Sequence, residues 1–271
     1  MVAAVITLSS DFGSPYPAAM RAVIRQWTAT ELVDVAHDLP RQHVAESAFW
    51  LREVLPYFPP AVHLAVIDPG VGTDRDAIVV RAGAHALIGP DNGVLVPAAR
   101  RLADRVDVYR IDSRDGAVEG TDRTAWPPRT ESATFHGRDV FAPAAARVHE
   151  IGVDGLETDD GLTPTGEYES LAFPEPTVSG REATGTVLAV DGFGNAVTNV
   201  PGEHVADHFG GAVTVDGRSV PLRRSYAAVE PGQPLLTVGS HGNVELAVNQ
   251  GRGSDAFGVD TGDQLRLSWG E

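Results

Sequence analysis

The chain has 271 residues, 42% of them hydrophobic, and no cysteine, so it can bury a sizeable core but cannot form disulfides, zinc–thiolate sites or a cysteine nucleophile. Its formal net charge is −16, and all 21 basic residues are arginine. Because nucleic-acid phosphates require the opposite charge, we expect no nucleic-acid partner. Excess carboxylates without lysine are typical of proteins in high salt, where self-repulsion is screened, and we interpret the chain as halophilic.

The sequence also predicts a cytoplasmic protein without membrane contact. No apolar run is long enough to span a bilayer. The first residues, MVAAVITL, lack the basic segment of a signal peptide and lead directly into a strand-like pattern.

The first part of the chain alternates between strand-like and helical patterns. Strand-like runs cover Ala3–Leu8, Val62–Ile67, Ala77–Arg81, Ala86–Ile88 and Val106–Ile111. Between the first two runs, one helical face is formed by Met20, Val23, Ile24 and Trp27, and another by Val44, Ala48, Leu51 and Leu55. A further helix is predicted to start near Asp139, which could cap it. Apolar strands joined by helices predict a mostly parallel α/β sandwich domain.

The remainder of the chain has a different composition. Ser113–Ser132 is polar and reads as a surface loop, and residues 154–179 are rich in Pro, Gly and acids, as in a linker. Later short runs are separated by turn residues: Thr186–Val190, Ala212–Val215, Leu235–Val238, Val244–Val248 and Gln264–Ser268. They predict a smaller antiparallel β domain, a barrel or sandwich. We therefore expect an α/β domain over residues 1–165, a linker over 166–183 and a β domain over 184–271.

Two aspartates follow predicted strands. Asp11 ends the first strand in LSSDFG, and Asp68 ends another in AVIDPGVGTDR. Ligands of open α/β sheets lie beyond the carboxyl ends of strands, so these carboxylates could share one crevice. Asp is also common in turns of this kind, and spacing alone leaves both interpretations open.

Arg75 and His136 are weaker candidates by themselves. Arg75 follows Asp68 across a glycine-rich turn, where a guanidinium could keep the carboxylate ionised. His136, in ATFHGRDVFAP, precedes a predicted helix and could handle a proton near neutral pH. Most arginines are simply solvated, and the chain has nine histidines to choose from.

Two later segments combine polar groups with tight turns. VDGFGNAVTN places Asp191, Phe193 and Asn195 together, which suits an ammonium, an aromatic ring and an adenine edge. GSHGNVELAVNQGRG contains Ser240 and His241 among small residues and could bind a carboxylate. The alternatives are a glycine-rich turn and a hairpin. No phosphate-binding Gly-Lys motif, dinucleotide fingerprint or metal-ligand spacing is present, so we expect no metal site.

Seven segments in order resemble the S-adenosyl-L-methionine (SAM) hydroxide adenosyltransferase family, SAM hydrolases related to fluorinase and chlorinase. They are SSDFG, VDVAHDLPRQHVAESAFWL, HLAVIDPGVGTDRDAIVV, LIGPDNGVL, TFHGRDVFAPAAA, AVDGFGNAVTN and GSHGNVELAVNQG. The resemblance implies hydrolysis of SAM to adenosine and methionine without a cofactor. It also implies an N-terminal α/β domain, a C-terminal β-barrel-like domain, and a homotrimer that binds SAM between neighbouring subunits.

The resemblance also assigns roles to residues. Asp11 matches the carboxylate that holds the ribose hydroxyls, and Asp68, Arg75 and His136 match the set that handles the attacking water. The other matched substrate contacts are Asp191 for the methionine amino group, Phe193, Asn195, Tyr226 and Gln250 for the adenine, and Ser240 for the carboxylate. In this family a second aspartate usually follows the DFG segment and holds the ammonium. Here the loop is shorter and that acid is missing, so Tyr16 is a candidate substitute.

The halogenases are the nearest rival interpretation. In the fluorinase a tyrosine stands at the position of Asp68, and a hydroxyl-bearing residue at that of Gly137. An anionic Asp68 would repel a halide but orient a water well, which favours hydrolysis. The loop before His136 is long and contains Pro127 and Pro128, so its course is not predicted. A SAM- or adenosine-binding sensor without turnover is the third possibility.

Overall fold

The computed structural model describes residues 5–116 and 120–270. The chain divides into two compact units, Met1–Leu171 and Ala172–Glu271. The first residues of the predicted opening strand, Ala3 and Ala4, lie outside the described residues.

The N-terminal unit is a seven-stranded sheet with helices. Its elements in chain order are β1 (Val5–Ser10), α1 (Tyr16–Trp27), β2 (Glu31–Ala36), α2 (Val44–Val54), β3 (Val62–Val66), β4 (Ala77–Ala82), β5 (His85–Pro90), α3 (Val96–Leu102), β6 (Val106–Ile111), β7 (Arg114–Asp115), β8 (Arg129–Thr130), α4 (Ala142–Ile151) and β9 (Leu162–Thr165). A π-helical turn, Gly137–Phe141, leads into α4. The strand order is β2-β1-β3-β5-β4-β6-β9, and β7 and β8 form a small separate pair.

The sheet combines parallel and antiparallel halves. Strands β2, β1, β3 and β5 are parallel neighbours, whereas β5, β4, β6 and β9 pair antiparallel. The α/β class predicted from the sequence is confirmed. The short turn between β4 and β5 makes their pairing antiparallel, because two parallel neighbours need a crossover connection.

Burial on both faces explains the continuous apolar strands. Ile6 and Leu8 pack with α1 and α4 in one core cluster, while the alternate residues Val5 and Thr7 are also buried. A strand covered on both faces loses the polar–apolar alternation of an exposed sheet. Helices α2 and α3 pack against each other, and α3 contacts β4.

Two sequence-based expectations need correction. Strand β2 (Glu31–Ala36) has no buried residue and was missed, because an edge strand lacks the strong apolar pattern of its neighbours. Asp139 does not cap a helix that starts there, since it lies inside the π-helical turn and that turn has no side-chain cap. Its carboxylate instead accepts the backbone N–H groups of Glu131 and Ser132, so it fixes the preceding loop.

The loop before His136 was predicted to lie at the surface, but part of it is buried. Trp126 packs against the core cluster and donates its indole N–H to Asp159 at 2.6 Å. Arg123 is also buried, and its carbonyl accepts the indole N–H of Trp27 in α1. The part of this segment that the structure describes is therefore held against the α/β layer.

The C-terminal unit is a nearly closed antiparallel barrel-like sheet, as the sequence predicted. Its strands are β10 (Thr177–Ser179), β11 (Glu182–Val190), β12 (Ala196–Pro201), β13 (Ala212–Val215), β14 (Arg218–Pro221), β15 (Pro234–Val238), β16 (Asn243–Val248) and β17 (Gln264–Trp269). The path is β14-β13-β17-β11-β12-β16-β15, and a bridge between Leu222 and Leu236 connects its two ends. A short helix, α5 (Gly253–Phe257), precedes β17. Valine and leucine side chains fill the interior.

In the described part of the chain, no helix has the length and apolar character that crossing a membrane requires.

A buried histidine predicts how stability depends on pH. His63 in β3 is hydrogen-bonded through Nδ1 to Thr7 Oγ1 at 2.8 Å and through Nε2 to His85 Nδ1 at 3.0 Å. Burial, and then the nearby His85, lowers the pKa of His63 to about 3. Since an unfolded histidine titrates near 6.5, the unfolded chain binds one more proton between these values, and stability falls as the pH falls below about 6.5.

We expect this one group to lower the free energy of unfolding by about 2 kcal/mol between pH 7.5 and pH 5. Urea unfolding at both values measures it, with His63→Gln as the variant that removes the contribution. The same substitution at the half-exposed His43 serves as a control. Equal pH dependence in the wild type and His63→Gln would contradict the assignment.

Candidate active site

Asp11 and Asp68 lie beyond the carboxyl ends of neighbouring parallel strands. Strands β1 and β3 pair with Ser10 opposite Val66, so the chain segments that follow them emerge side by side. Both aspartates line one cavity of about 470 Å³. The topology therefore produces the shared crevice that the sequence left undecided.

Asp68 is bound by Arg75 through two parallel hydrogen bonds. Arg75 Nε donates to Asp68 Oδ1 at 2.9 Å, and Arg75 Nη2 donates to Asp68 Oδ2. The side chains are 6% exposed for Asp68 and 12% for Arg75. A bidentate pair in a partly desolvated position is strong and fixes the carboxylate plane.

His136 joins this pair through the same guanidinium. Arg75 Nη2 lies 2.9 Å from His136 Nδ1. Because a guanidinium only donates, Nδ1 accepts, and in this arrangement the imidazole is neutral with its proton on Nε2. Asp68, Arg75 and His136 therefore form one connected set, as the family resemblance implied.

Local packing holds Arg75 in this orientation. Its Nη1 donates to the carbonyl of Asp76 at 3.2 Å, and its guanidinium lies 5.0 Å from the ring centre of Phe141. The turn between Asp68 and Arg75 requires glycine at position 72, where φ is +80° and a Cβ would lie 2.5 Å from the carbonyl oxygen of Ala133.

Asp139 organises the loop that leads to His136. This side chain is fully buried and accepts the Ser132 N–H at 2.9 Å as well as Arg138 Nε at 2.6 Å. Ser132, Thr134 and Phe135 in that loop line the same cavity as Asp68. Asp139 thus holds the loop that forms one wall of the cavity, although its own side chain does not line the cavity.

Aromatic rings form the remaining wall near Asp11. Tyr16 packs edge-on against Phe135 with ring centres 5.3 Å apart, and Phe12 packs edge-on against both. Asp11 Oδ2 accepts the backbone N–H of Gln42 at 2.6 Å, and Oδ1 has remaining acceptor capacity for a polar ligand. The Tyr16 ring is half-exposed and lines the cavity.

The C-terminal unit has its own polar cluster. Asp191 Oδ1 accepts the backbone N–H groups of Phe193 and Asn195, at 2.9 and 2.8 Å. Asn195 Nδ2 donates to Asp191 Oδ2 at 2.9 Å and lies 3.5 Å from the hydroxyl of Tyr226. Asn195 is buried. The turn predicted around Asp191 is therefore present and brings three of the predicted residues together.

Tyr226 connects this cluster to strand β16. Its hydroxyl donates to Glu245 Oε2 at 2.8 Å, while His241 Nε2 lies 2.9 Å from Glu245 Oε1. Burial, followed by the hydrogen bond to Glu245, raises the pKa of the Tyr226 hydroxyl above its ordinary value. The phenol consequently stays protonated and acts as the donor.

The other predicted ligand contacts are exposed. The Phe193 ring is 81% exposed, Ser240 lies at the tip of the β15–β16 hairpin, and Gln250 follows β16 with φ of +56°. Their side chains are accessible, as residues that contact a ligand must be. No group of three or more His, Cys, Asp or Glu side chains within residues 5–116 and 120–270 could hold a metal ion.

Comparison with known proteins decides the family. Residues 6–155 match the SAM hydroxide adenosyltransferase N-terminal domain, and residues 185–266 match the C-terminal domain of the same family. The chain belongs to the SAM hydroxide adenosyltransferase family. The match covers the segments that carry Asp68, Arg75 and His136 and those that carry Asp191 and Tyr226.

Relatives match over nearly the whole chain. Two proteins named (R)-S-adenosyl-L-methionine hydrolase are similar, one from Thermus thermophilus at 41% identity, with 95% of this chain and 97% of the relative covered. The other, from Salinispora tropica, is 37% identical with 98% of each covered. An uncharacterized conserved protein from Thermotoga maritima has a solved structure with a TM-score of 0.81, 29% identity, and coverage of 98% and 100%.

Several residues that hold predicted residues or cavity-lining loops in place in the two units are not predicted by any sequence pattern considered above. Glu245 is a carboxylate within the apolar run of β16, and a charged residue at such a position is itself a signal, because unpaired charges are rarely buried. Gln42 contributes only its backbone N–H to Asp11, and no sequence pattern predicts that contact. For Asp139 the sequence predicts a helix cap, whereas its carboxylate binds the backbone of the preceding loop.

Gly137 occupies a position where the structure leaves no room for a side chain. A Cβ there would lie 2.9 Å from Met20 Sδ and 3.1 Å from Phe135 Cε2. Because Met20 is fully buried and Phe135 lines the cavity, we expect Gly137→Ala to lower the free energy of unfolding by about 1–3 kcal/mol. Urea unfolding measures it. Gly166→Ala is the control, since no atom lies within 4 Å of its Cβ position, and equal stability of the two variants would contradict the packing argument.

Proposed function

We propose that this chain hydrolyses S-adenosyl-L-methionine to adenosine and L-methionine. The observation that carries the proposal is the set Asp68, Arg75 and His136, joined by hydrogen bonds beside a cavity that Asp11 also lines. Family membership and the similarity to proteins named (R)-S-adenosyl-L-methionine hydrolase support the substrate.

The reaction is an in-line displacement at the ribose C5′ carbon. The C5′–O bond forms as the C5′–S bond breaks, and the electron pair of the broken bond goes to sulfur. SAM and water thus give adenosine, methionine and one proton. The sulfonium becomes a neutral thioether, so the leaving group needs little acid catalysis. The protein's task is to place one water about 3 Å from C5′, opposite the sulfur.

Asp68 accepts a hydrogen bond from this water and orients it, and Arg75 fixes the plane of the carboxylate. His136 completes the water's hydrogen bonds through its Nε2–H. The support for this role is that Nδ1 already accepts from Arg75, so a neutral imidazole in this state has no nitrogen left to act as a base. We accordingly assign His136 to orientation of the water and not to proton removal.

The remaining predicted residues bind the substrate. Asp11 binds the ribose hydroxyls with the oxygen that Gln42 leaves unused. Tyr226 stacks on the adenine, with Phe193, Asn195 and the Gln250 backbone beside it. Ser240 binds the carboxylate, and Asp191 faces the ammonium with its remaining lone pair. Tyr16 takes the place of the missing second aspartate.

Halide transfer is the second candidate. It is disfavoured by the anionic Asp68 at the nucleophile position and by the absence of room for a hydroxyl-bearing side chain at Gly137. A sensor without turnover is the third, but a bidentate Asp68–Arg75 pair reaching His136 is not needed for binding alone.

Product analysis separates the three candidates. The chain is incubated with the (R) and (S) sulfonium epimers of SAM separately, because the relatives' name specifies the (R) form. Chloride or fluoride is included in parallel samples, and the products are resolved by chromatography. Wherever SAM is consumed, we expect the products to be adenosine and methionine, both with and without halide. A 5′-halo-nucleoside would establish halide transfer, and unchanged SAM with measurable binding would establish a sensor.

We also propose a homotrimer that works without a cofactor in high salt. The strongly negative charge without lysine supports the salt preference. Light scattering tests the trimer, and activity from low to molar salt tests the preference.

A further inference from the structure

Glu245 is a buried carboxylate whose two oxygens bind two different parts of the C-terminal cluster. It is 5% exposed, within the apolar strand β16. Oε2 accepts the Tyr226 hydroxyl at 2.8 Å and Oε1 accepts from His241 Nε2 at 2.9 Å. Burying a carboxylate is unfavourable unless donors satisfy it, so these two hydrogen bonds are what allow Glu245 to occupy this place.

The first bond fixes the orientation of Tyr226. The ring is partly exposed, while its hydroxyl is held between Glu245 and Asn195 Nδ2, which lies 3.5 Å away. A ring held at its hydroxyl end is restrained from swinging away about its χ1 torsion. Stacking on an aromatic ligand requires the ring to stay in one place, which this bond supports.

The second bond fixes the β15–β16 hairpin. His241 Nδ1 accepts the Asn243 N–H at 3.2 Å, so Nε2 carries the proton that Glu245 accepts. Ser240 precedes His241 at the hairpin tip. Gly239 permits this packing, because a Cβ there would lie 2.1 Å from Glu245 Oε1 and 2.5 Å from His241 Nε2.

We propose that Glu245 is a positioning residue that holds both Tyr226 and the Ser240 hairpin in the geometry that binds substrate. The inference rests on the proposed function and adds to it the two residues, Glu245 and His241, that orient the substrate contacts. Because the bonds of Glu245 lie within the C-terminal cluster, losing it weakens substrate binding and leaves the chemical step intact.

Three variants separate the two bonds. Glu245→Met removes both acceptors with similar volume, and Tyr226→Phe removes only the hydroxyl bond. Glu245→Gln keeps both contacts, because its amide oxygen accepts from His241 Nε2–H while its NH₂ donates to the Tyr226 hydroxyl. The conservative variant Glu245→Gln therefore retains both contacts, and Tyr226→Phe is the variant that separates the tyrosine bond from the histidine bond.

The measurements are the adenosine Kd by calorimetry and kcat and KM for SAM. We expect Glu245→Met and Tyr226→Phe each to raise the adenosine Kd about tenfold, and the double variant also about tenfold because both remove the same bond. Glu245→Gln keeps both the adenosine Kd and the KM for SAM within about threefold of wild type, whereas Glu245→Met raises both, and kcat stays within about twofold throughout.

The controls are Glu203→Met and Tyr57→Phe, which change two exposed residues of the same types. The thermal midpoint of each variant shows whether it is folded.

Three results would each overturn the proposal: wild-type Kd and KM in Glu245→Met, a loss in kcat alone, or an additive hundredfold rise of the Kd in the double variant. Failure of the wild-type chain to hydrolyse SAM would refute the proposed function, while adenosine calorimetry would still decide the role of Glu245. If the wild-type chain binds no adenosine, the positioning role is refuted as well.

Discussion

Asp68→Asn is expected to lower the rate of adenosine release about 10³-fold while SAM binds with nearly unchanged affinity. Asparagine has the shape of aspartate, but only one of its terminal atoms can accept from Arg75. The other carries hydrogens and faces the donor Nη2. The carboxylate that orients the water is thereby lost, whereas Asp11 and the C-terminal cluster are untouched. Chromatography of adenosine gives kcat, and calorimetry gives the Kd for SAM.

A second aspartate in the same turn provides the matched control. Asp74 is exposed and does not line the cavity of Asp68, so Asp74→Asn retains full activity. If Asp68→Asn kept wild-type turnover, or lost SAM binding as strongly as activity, the assignment of Asp68 to the attacking water would be wrong.

Replacement of Arg75 is expected to affect catalysis and stability differently according to the substitute. Arg75→Lys keeps the charge but cannot make two parallel bonds to Asp68 and a third to His136, so we expect kcat to fall about 100-fold. Arg75→Met leaves Asp68 buried without its partner, and we expect the free energy of unfolding to fall by about 3 kcal/mol. Steady-state kinetics and urea unfolding measure the two effects.

The Arg21–Asp34 pair is a suitable comparison because both side chains are about half-exposed, at 47% and 40%. An exposed pair contributes at most about 1 kcal/mol to stability. We therefore expect Arg21→Met and Arg21→Lys to leave kcat and the free energy of unfolding nearly unchanged. A stability loss for Arg75→Met no larger than that for Arg21→Met would show that the buried pair does not hold this site together.

The α/β and β-barrel-like architecture was predictable because its information is local. Apolar strands such as β1 and β3 and the amphipathic helix α1 carry their periodicity in a few consecutive residues. The shared cavity of Asp11 and Asp68 was open to prediction because both residues follow such strands, and carboxyl ends of parallel neighbours meet at one sheet edge, although spacing alone left a turn role equally open.

Other features depend on pairs of residues far apart in the chain. The neutral state of His136 follows from a contact with Arg75, 61 positions earlier. The role of Glu245 follows from Tyr226, 19 positions earlier, across the barrel-like sheet. Asp139 has the residue type of a helix cap, and only the fold shows that its carboxylate faces the preceding loop. No periodicity within one element encodes these contacts.

The central claim is that water attacks the ribose C5′ carbon of SAM. Hydrolysis in water enriched in oxygen-18, in the presence of chloride, tests it most directly by mass spectrometry of the products. We predict one oxygen-18 atom in the 5′-hydroxyl of adenosine, none in methionine, and no halogenated nucleoside. Unlabelled adenosine, label in methionine, or a 5′-chloro product would contradict the account.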